Sequence, residues 1–168
     1  MRTFLDTERL GLREVTAADA RAFYRLDGDP RVMRYIGDGS VGTRATVAAA
    51  IARAKSYYGL YPGLGKWLAE ERASGRFIGW FSLNYVPQTV EVEVGYRLLP
   101  GAWGRGFATE GTRALVQHGF EAVGLYRIIG LTHSDNRASQ RVLQKAGLHD
   151  AGRGRYYGRE LRVFVAEA

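Results

Sequence analysis

The chain contains no cysteine, only three lysines among its 24 basic residues, and four prolines in 168 residues. Without cysteine there is no disulfide scaffold, no thiolate metal site, no cysteine nucleophile and no acyl-cysteine intermediate. Any sulfur chemistry has to come from a ligand. His118, His133 and His149 stand 15 and 16 residues apart with no cysteine partners, so no metal site is expected. No stretch of about 18 apolar residues occurs, and the start, MRTFLDTERLGLRE, is charged rather than a basic stretch leading into an apolar run. Neither a membrane span nor a signal peptide is expected, which makes cytoplasmic the default location.

What is present fits one ordinary domain, residues 1–168, with enough chain to bury a core. The net charge is +7, and 21 of the 24 basic residues are arginine, the side chain that grips phosphate bidentately. The excess is local. Between Arg127 and Arg162, eight basic residues face three acidic ones. Composition alone fits a nucleotide-binding face and merely solvated surfaces equally well.

The order of elements is mixed. Leu10 and Leu12 alternate with polar residues in a first strand, and Thr16–Asp19 reads as a capping box opening a helix to about Leu26. Asp29-Pro30 starts a short helical turn, and from Thr43 a longer helix places Val47, Ile51, Ala54 and Tyr58 on one stripe. Lys66–Glu71, Phe77–Tyr85 and Val90–Leu98 form a meander. In its last strand Val90, Val92, Val94, Tyr96 and Leu98 face one way, and Glu91, Glu93, Gly95 and Arg97 the other. A helix from about Gly106 to Val123, a strand Leu125–His133, a helix Asn136–Ala146 with Gly147 in the C′ position, and two short strands complete the chain.

Two segments carry candidate chemistry. The turn Trp103-Gly104-Arg105-Gly106-Phe107-Ala108-Thr109-Glu110 joins a strand to a helix; its glycines let consecutive N–H groups converge at the positive end of the helix dipole. This suits a phosphate. A dinucleotide fingerprint would need a third glycine where Thr109 stands, and no Gly-Lys-Ser/Thr triplet exists for a phosphate loop. In the second segment Asn136 and Ser139 lie three apart on the first turn of a helix, able to touch one ligand or to serve as an N-cap with a neighbouring serine.

Together the segments resemble the GNAT superfamily of acyl-CoA-dependent N-acyltransferases, most closely the branch of ribosomal-protein-alanine N-acetyltransferases. The branch shows a Gly-Tyr strand end (Gly95-Tyr96), the Trp103–Glu110 turn and an Asn-x-x-Ser helix closing in Lys-x-Gly (Asn136–Leu148). Trp103 replaces the superfamily's usual Gln or Arg, and Leu148 its usual Phe. The resemblance implies an α/β fold with a mixed twisted sheet of 6–7 strands, splayed between strands 4 and 5, and helices on both faces. It implies acetyl-CoA as co-substrate, with pantetheine along Val94–Leu98, near Tyr96 and Leu98, and pyrophosphate on the turn Gly104, Arg105, Gly106, Phe107, Ala108 and Thr109, where Arg105 could assist. Asn136 and Ser139 would face the pantetheine, and the local positive charge would suit the nucleotide's phosphates.

With no protein thiol, the transfer implied is direct attack of an amine on the thioester in a ternary complex. It needs a base, a polarised carbonyl and a proton for the leaving thiolate. Ser139 is the implied proton donor, with Tyr126 or a water as substitutes. Glu93 is the preferred base, through a water, with Glu91, Glu70 and Glu71 as alternatives. Trp67 and Trp80 are core or the lining of an acceptor tunnel. The acceptor, a peptide N-terminus or a small amine, would be shaped by Asp27–Thr46, Tyr85–Val90 and Tyr156–Arg159. No membrane partner is expected, and a homodimer is neither required nor excluded. The alternative is a CoA-sensing or nucleic-acid-binding module without turnover, motivated by the charge and by the Arg-Gly run Gly152–Arg159. A hairpin is the preferred reading of that run.

Overall fold

A computed structural model of the chain describes residues 3–168. Its framework is one sheet of β1 (Thr3–Asp6), β2 (Leu10–Glu14), β3 (Gly65–Glu71), β4 (Arg76–Tyr85), β5 (Val92–Leu98), β6 (Arg127–Thr132), β7 (His149–Tyr156) and β8 (Arg159–Glu167). The strands lie in the order β1-β2-β3-β4-β5-β6-β8-β7. The sheet thus has eight strands rather than six or seven. The additional one, β1, is four residues long, has exposed ends and lacks an alternating pattern; it exists by pairing with β2. The tail, expected as two short strands, is a long hairpin whose turn, Tyr157-Gly158, has both residues at positive φ, as a two-residue turn matched to strand twist requires.

Every neighbouring pair is antiparallel except β5 with β6, which are parallel and registered at one point, Glu93 opposite Ile129. Beyond Glu93 the two strands part. The expected splay falls at this junction. Alternate backbone N–H and C=O groups of Gly95–Leu98 that point away from β4 therefore face a gap instead of a strand.

Helices cover both faces. On one, α1 (Ala20–Asp27), the short α2 (Pro30–Met33) and α3 (Arg44–Leu60) lie across the first strands; Phe23, Leu26, Val47, Ile51 and Ala54 bury against Leu68 and Trp80. On the other, α4 (Phe107–His118) and α5 (Arg137–Lys145) pack Phe107, Leu115, Val116 and Leu143 on Phe81, Leu83, Val92 and Val94. The local signals act as read. The Thr16–Asp19 capping box forms, and the Asp29 side chain accepts from the Arg31 N–H at 2.9 Å. Gly147, at φ +100°, closes α5 as Leu148 N–H reaches the Leu143 carbonyl at 3.0 Å and its own N–H the Gln144 carbonyl at 3.1 Å. Val90 departs from its expected place: it precedes β5 in the loop and is 88% exposed.

Candidate active site

The strand-to-helix turn has the local geometry expected of an anion site. Gly106 is the N-cap of α4 at φ +82°, and no side chain caps the helix. The first helical bond runs from Glu110 N–H to the Gly106 carbonyl, 3.0 Å. The N–H groups of Phe107, Ala108 and Thr109 are consequently without intrahelical acceptors and point out of the positive end of the helix. A cleft of about 360 Å³ opens here, lined by Arg9, Gly106, Thr109, Arg113 and Lys145 among others. Arg9 ties the turn down: its guanidinium pairs with Glu110 at 2.7 Å, donates to the Arg105 carbonyl at 2.7 Å and lies 4.7 Å above the Phe107 ring. Phe107 itself is core, so what it presents to the turn is backbone. Arg105 pairs with Glu71, and its guanidinium also lies over the Phe107 ring, 4.6 Å from the centroid.

Just beyond the end of β6, Asn136 caps α5 by accepting the Ser139 N–H at 3.2 Å. That uses its oxygen and leaves the amide NH2 free to donate, so capping and ligand binding are compatible readings of one side chain. Ser139 stands beside the Tyr96 hydroxyl; burial raises the Tyr96 phenol above its ordinary value and the Ser139 contact acts against the rise. Leu98 is buried and its carbonyl accepts the Trp103 indole N–H at 2.8 Å.

Glu93 projects from the opposite face of β5, where the tip of the β7–β8 hairpin reaches it: the Tyr157 hydroxyl donates to its carboxylate at 2.6 Å. No cation pairs with it among the described residues. Burial pushes its carboxyl up to about 7, and the Tyr157 hydrogen bond opposes that rise. The other carboxylates are differently placed. Glu70 pairs with Arg13 at 3.2 Å, Glu71 with Arg105, and Glu91 with Arg127 at 3.5 Å. A half-buried, cation-free carboxyl raised to about 7 lies on one face of β5, and the Tyr96 and Ser139 hydroxyls lie on the other.

Residues 9–149 match the acetyltransferase (GNAT) domain family. The chain belongs to the GNAT acetyltransferases. It is an N-acetyltransferase with acetyl-CoA as co-substrate. It is 34% identical over 157 residues to the uncharacterized N-acetyltransferase YoaA of Bacillus subtilis, covering 91% of this chain and 86% of that one. Its fold superposes on an acetyltransferase of Agrobacterium tumefaciens with a TM-score of 0.85 at 26% identity, over 100% and 95% of the two chains. It also superposes on RimL, a ribosomal L7/L12 α-N-protein acetyltransferase in complex with coenzyme A, with a TM-score of 0.82 at 16% identity, over 99% and 98%.

The structure of this acetyltransferase moves several expected roles. Trp67 and Trp80 lie on opposite faces of the sheet, Trp67 stacked on Phe4 at 4.0 Å in one core and Trp80 in the other, so they do not line one tunnel. Tyr126 is 76% exposed at the start of β6, the end away from Asn136, too far to protonate a thiolate there. Part of the basic window is spent within the fold: Arg127 pairs with Glu91 and Glu167, Arg153 with Glu160 and Arg162 with Asp150. Of that window, Lys145 lines the cleft at Gly106, joined by Arg9 and Arg113 from outside it. Arg9 had no motif to reveal it, because the β1–β2 connection meets the turn only through the sheet. Arg113, one helical turn beyond Thr109, was legible as a neighbour on the same helix face. Tyr157 carried a signal as well, as part of the hairpin segment expected to shape the acceptor site. The Arg-Gly run is that hairpin rather than a free basic tail.

Proposed function

We propose that this acetyltransferase acts by direct transfer from acetyl-CoA to a primary amine that enters on the Glu93 side of the splayed strands. The observation that carries the reading is Glu93 itself, a cation-free carboxyl raised to about 7 at the last register point before β5 and β6 part. The acetyl-CoA thioester supplies the activated acyl group. Backbone N–H groups of Phe107, Ala108 and Thr109, with Arg9, Arg113 and Lys145 around them, fit a pyrophosphate. The Asn136 amide and the open edge of Gly95–Leu98 fit the amide groups of a pantetheine arm, and an N–H of that edge polarises the carbonyl.

Glu93 takes the amine proton through a water, its ionised fraction growing through neutral pH. Ser139, beside Tyr96 on the other face, donates the proton to the departing thiolate. Base and acid then act from opposite sides of the acyl group, as attack and departure require. A peptide N-terminus and a small amine both meet these requirements.

Thiol release with a panel of small amines and peptide N-termini tests the reading. Amine-dependent release, lowered by both Glu93→Gln and Ser139→Ala, is expected. Release unchanged in both variants would place the acid and base elsewhere.

A further inference from the structure

On the face of the sheet that carries Glu93, the strands present cations that the protein leaves uncompensated. The Lys66 ammonium lies 4.0 Å from the centroid of the Trp80 indole, and the Arg97 guanidinium lies 5.0 Å from the same ring. Asp27 of α1 pairs with Arg97 at 2.7 Å, and Arg53 of α3 adds a further positive field. Lys66 and Arg97, both part-buried, therefore share one anion, and the exposed Arg53 adds to the positive field. Among the described residues the Lys66 ammonium has no hydrogen-bond or ion-pair partner, and the Arg97 Nε is buried without an acceptor. Burial and the two arginines hold the lysine down at about 8, against the opposing pull of Asp27.

The register fixes where this charge sits. Lys66 is opposite Ser82, and Ser82 opposite Gly95, so Lys66 lies two strand spacings, about 10 Å, from the open edge of β5. Arg97 and Glu93 are each two residues from Gly95 along β5, about 7 Å in opposite directions. We infer that the acceptor is an amine carrying an anionic group, a carboxylate or a phosphate, that docks on Lys66 and Arg97 and holds the amine over Gly95 beside Glu93. This rests on the direct-transfer reading above and adds the substrate class. The anion supplies the missing partner for Lys66, and Asp27 keeps the Arg97 guanidinium aimed when the site is empty. An amine without the anion would leave the Lys66 ammonium as unpaired as it is in the free protein and so forgo the binding energy of that ion pair.

Matched acceptors test it by thiol release: phosphoethanolamine against ethanolamine, and isoglutamine against glutaminamide. The anionic member of at least one pair is expected to show a tenfold or greater advantage in kcat/KM. The pair that shows it separates phosphate from carboxylate. Lys66→Met should cut that advantage at least tenfold, and Lys66→Arg should keep most of it. Neutral members turning over as well as their anionic counterparts in the wild type would overturn the inference while leaving the transfer reading intact. If acetyl-CoA binds but no amine turns over, the transfer reading fails instead. Thermal stabilisation by the same four compounds then decides the site: a shift with the anionic members that Lys66→Met abolishes supports it, and equal shifts for anionic and neutral members overturn it.

Discussion

A carboxyl group raised to about 7 by burial is half ionised near neutrality, and the Tyr157 hydroxyl that donates to it pulls in the opposite direction. With Glu93 as base, kcat/KM rises with pH through an apparent pKa near 7. Glu93→Gln is expected to lower kcat by about 10²-fold or more and to flatten that limb, measured as a pH–rate profile. The same substitution affects stability with a defined sign. The folded carboxyl titrates above its ordinary 4.5, so its contribution is present below about 4.5 and is lost as pH rises through 7. Gln removes that loss, and the Tm difference between variant and wild type should grow in the variant's favour from pH 5 to pH 8. Tyr157→Phe removes the group that lowers Glu93. The acid limb should then move to higher pH, whereas a purely structural tyrosine would leave it in place.

At the scale of elements, α4 has two glycines with different duties. Gly111 faces the sheet, where an added Cβ would meet the Phe81 ring at 2.3 Å. Gly111→Ala is expected to destabilise by about 1–3 kcal/mol through overpacking, measured by chemical denaturation, despite the better helix propensity of alanine. Gly106 instead holds the left-handed N-cap, and an added Cβ meets the mobile end of Arg9 at 3.1 Å. Gly106→Val, costing about 1–2 kcal/mol in backbone strain, should leave the fold standing and abolish acetyl-CoA binding in calorimetry. Intact binding would remove the turn from the cofactor site. Both glycines were visible in the sequence, but their duties were not equally visible. Gly106 stood in a turn whose chemistry is local, whereas the tight approach of Gly111 to Phe81 depends on how closely α4 sits on β4.

For the whole molecule, a ligand bound by the native state alone shifts the folding equilibrium by mass action. Acetyl-CoA at about 100 times its Kd should add about 2.7 kcal/mol. That corresponds to a rise in Tm of roughly 5–10 °C for a chain of this size, absent in Gly106→Val.

Much of this fold was legible because its signals are short-range. The capping box at Thr16, the Asp29 cap, the αL glycine at 147 and the two-residue alternation of β5 each depend on neighbours a few positions away. The same holds for the Trp103–Glu110 turn and for the Asn136–Ser139 spacing, which are properties of one loop and one helical turn. What escaped depends on strand pairing. The strand β1 has no pattern of its own, Trp67 and Trp80 were separated by a sheet face, and Arg127, Arg153 and Arg162 pair with carboxylates at the start of β5 and on β7 and β8. The sequence by itself determined that no thiol of the protein can carry the acyl group and that a glycine turn would open a helix with no side-chain cap. The tertiary structure decided which carboxylate stays free of cations, which tyrosine meets it, and where Lys66 and Arg97 converge, because those are contacts across strands and between faces that no local spacing encodes.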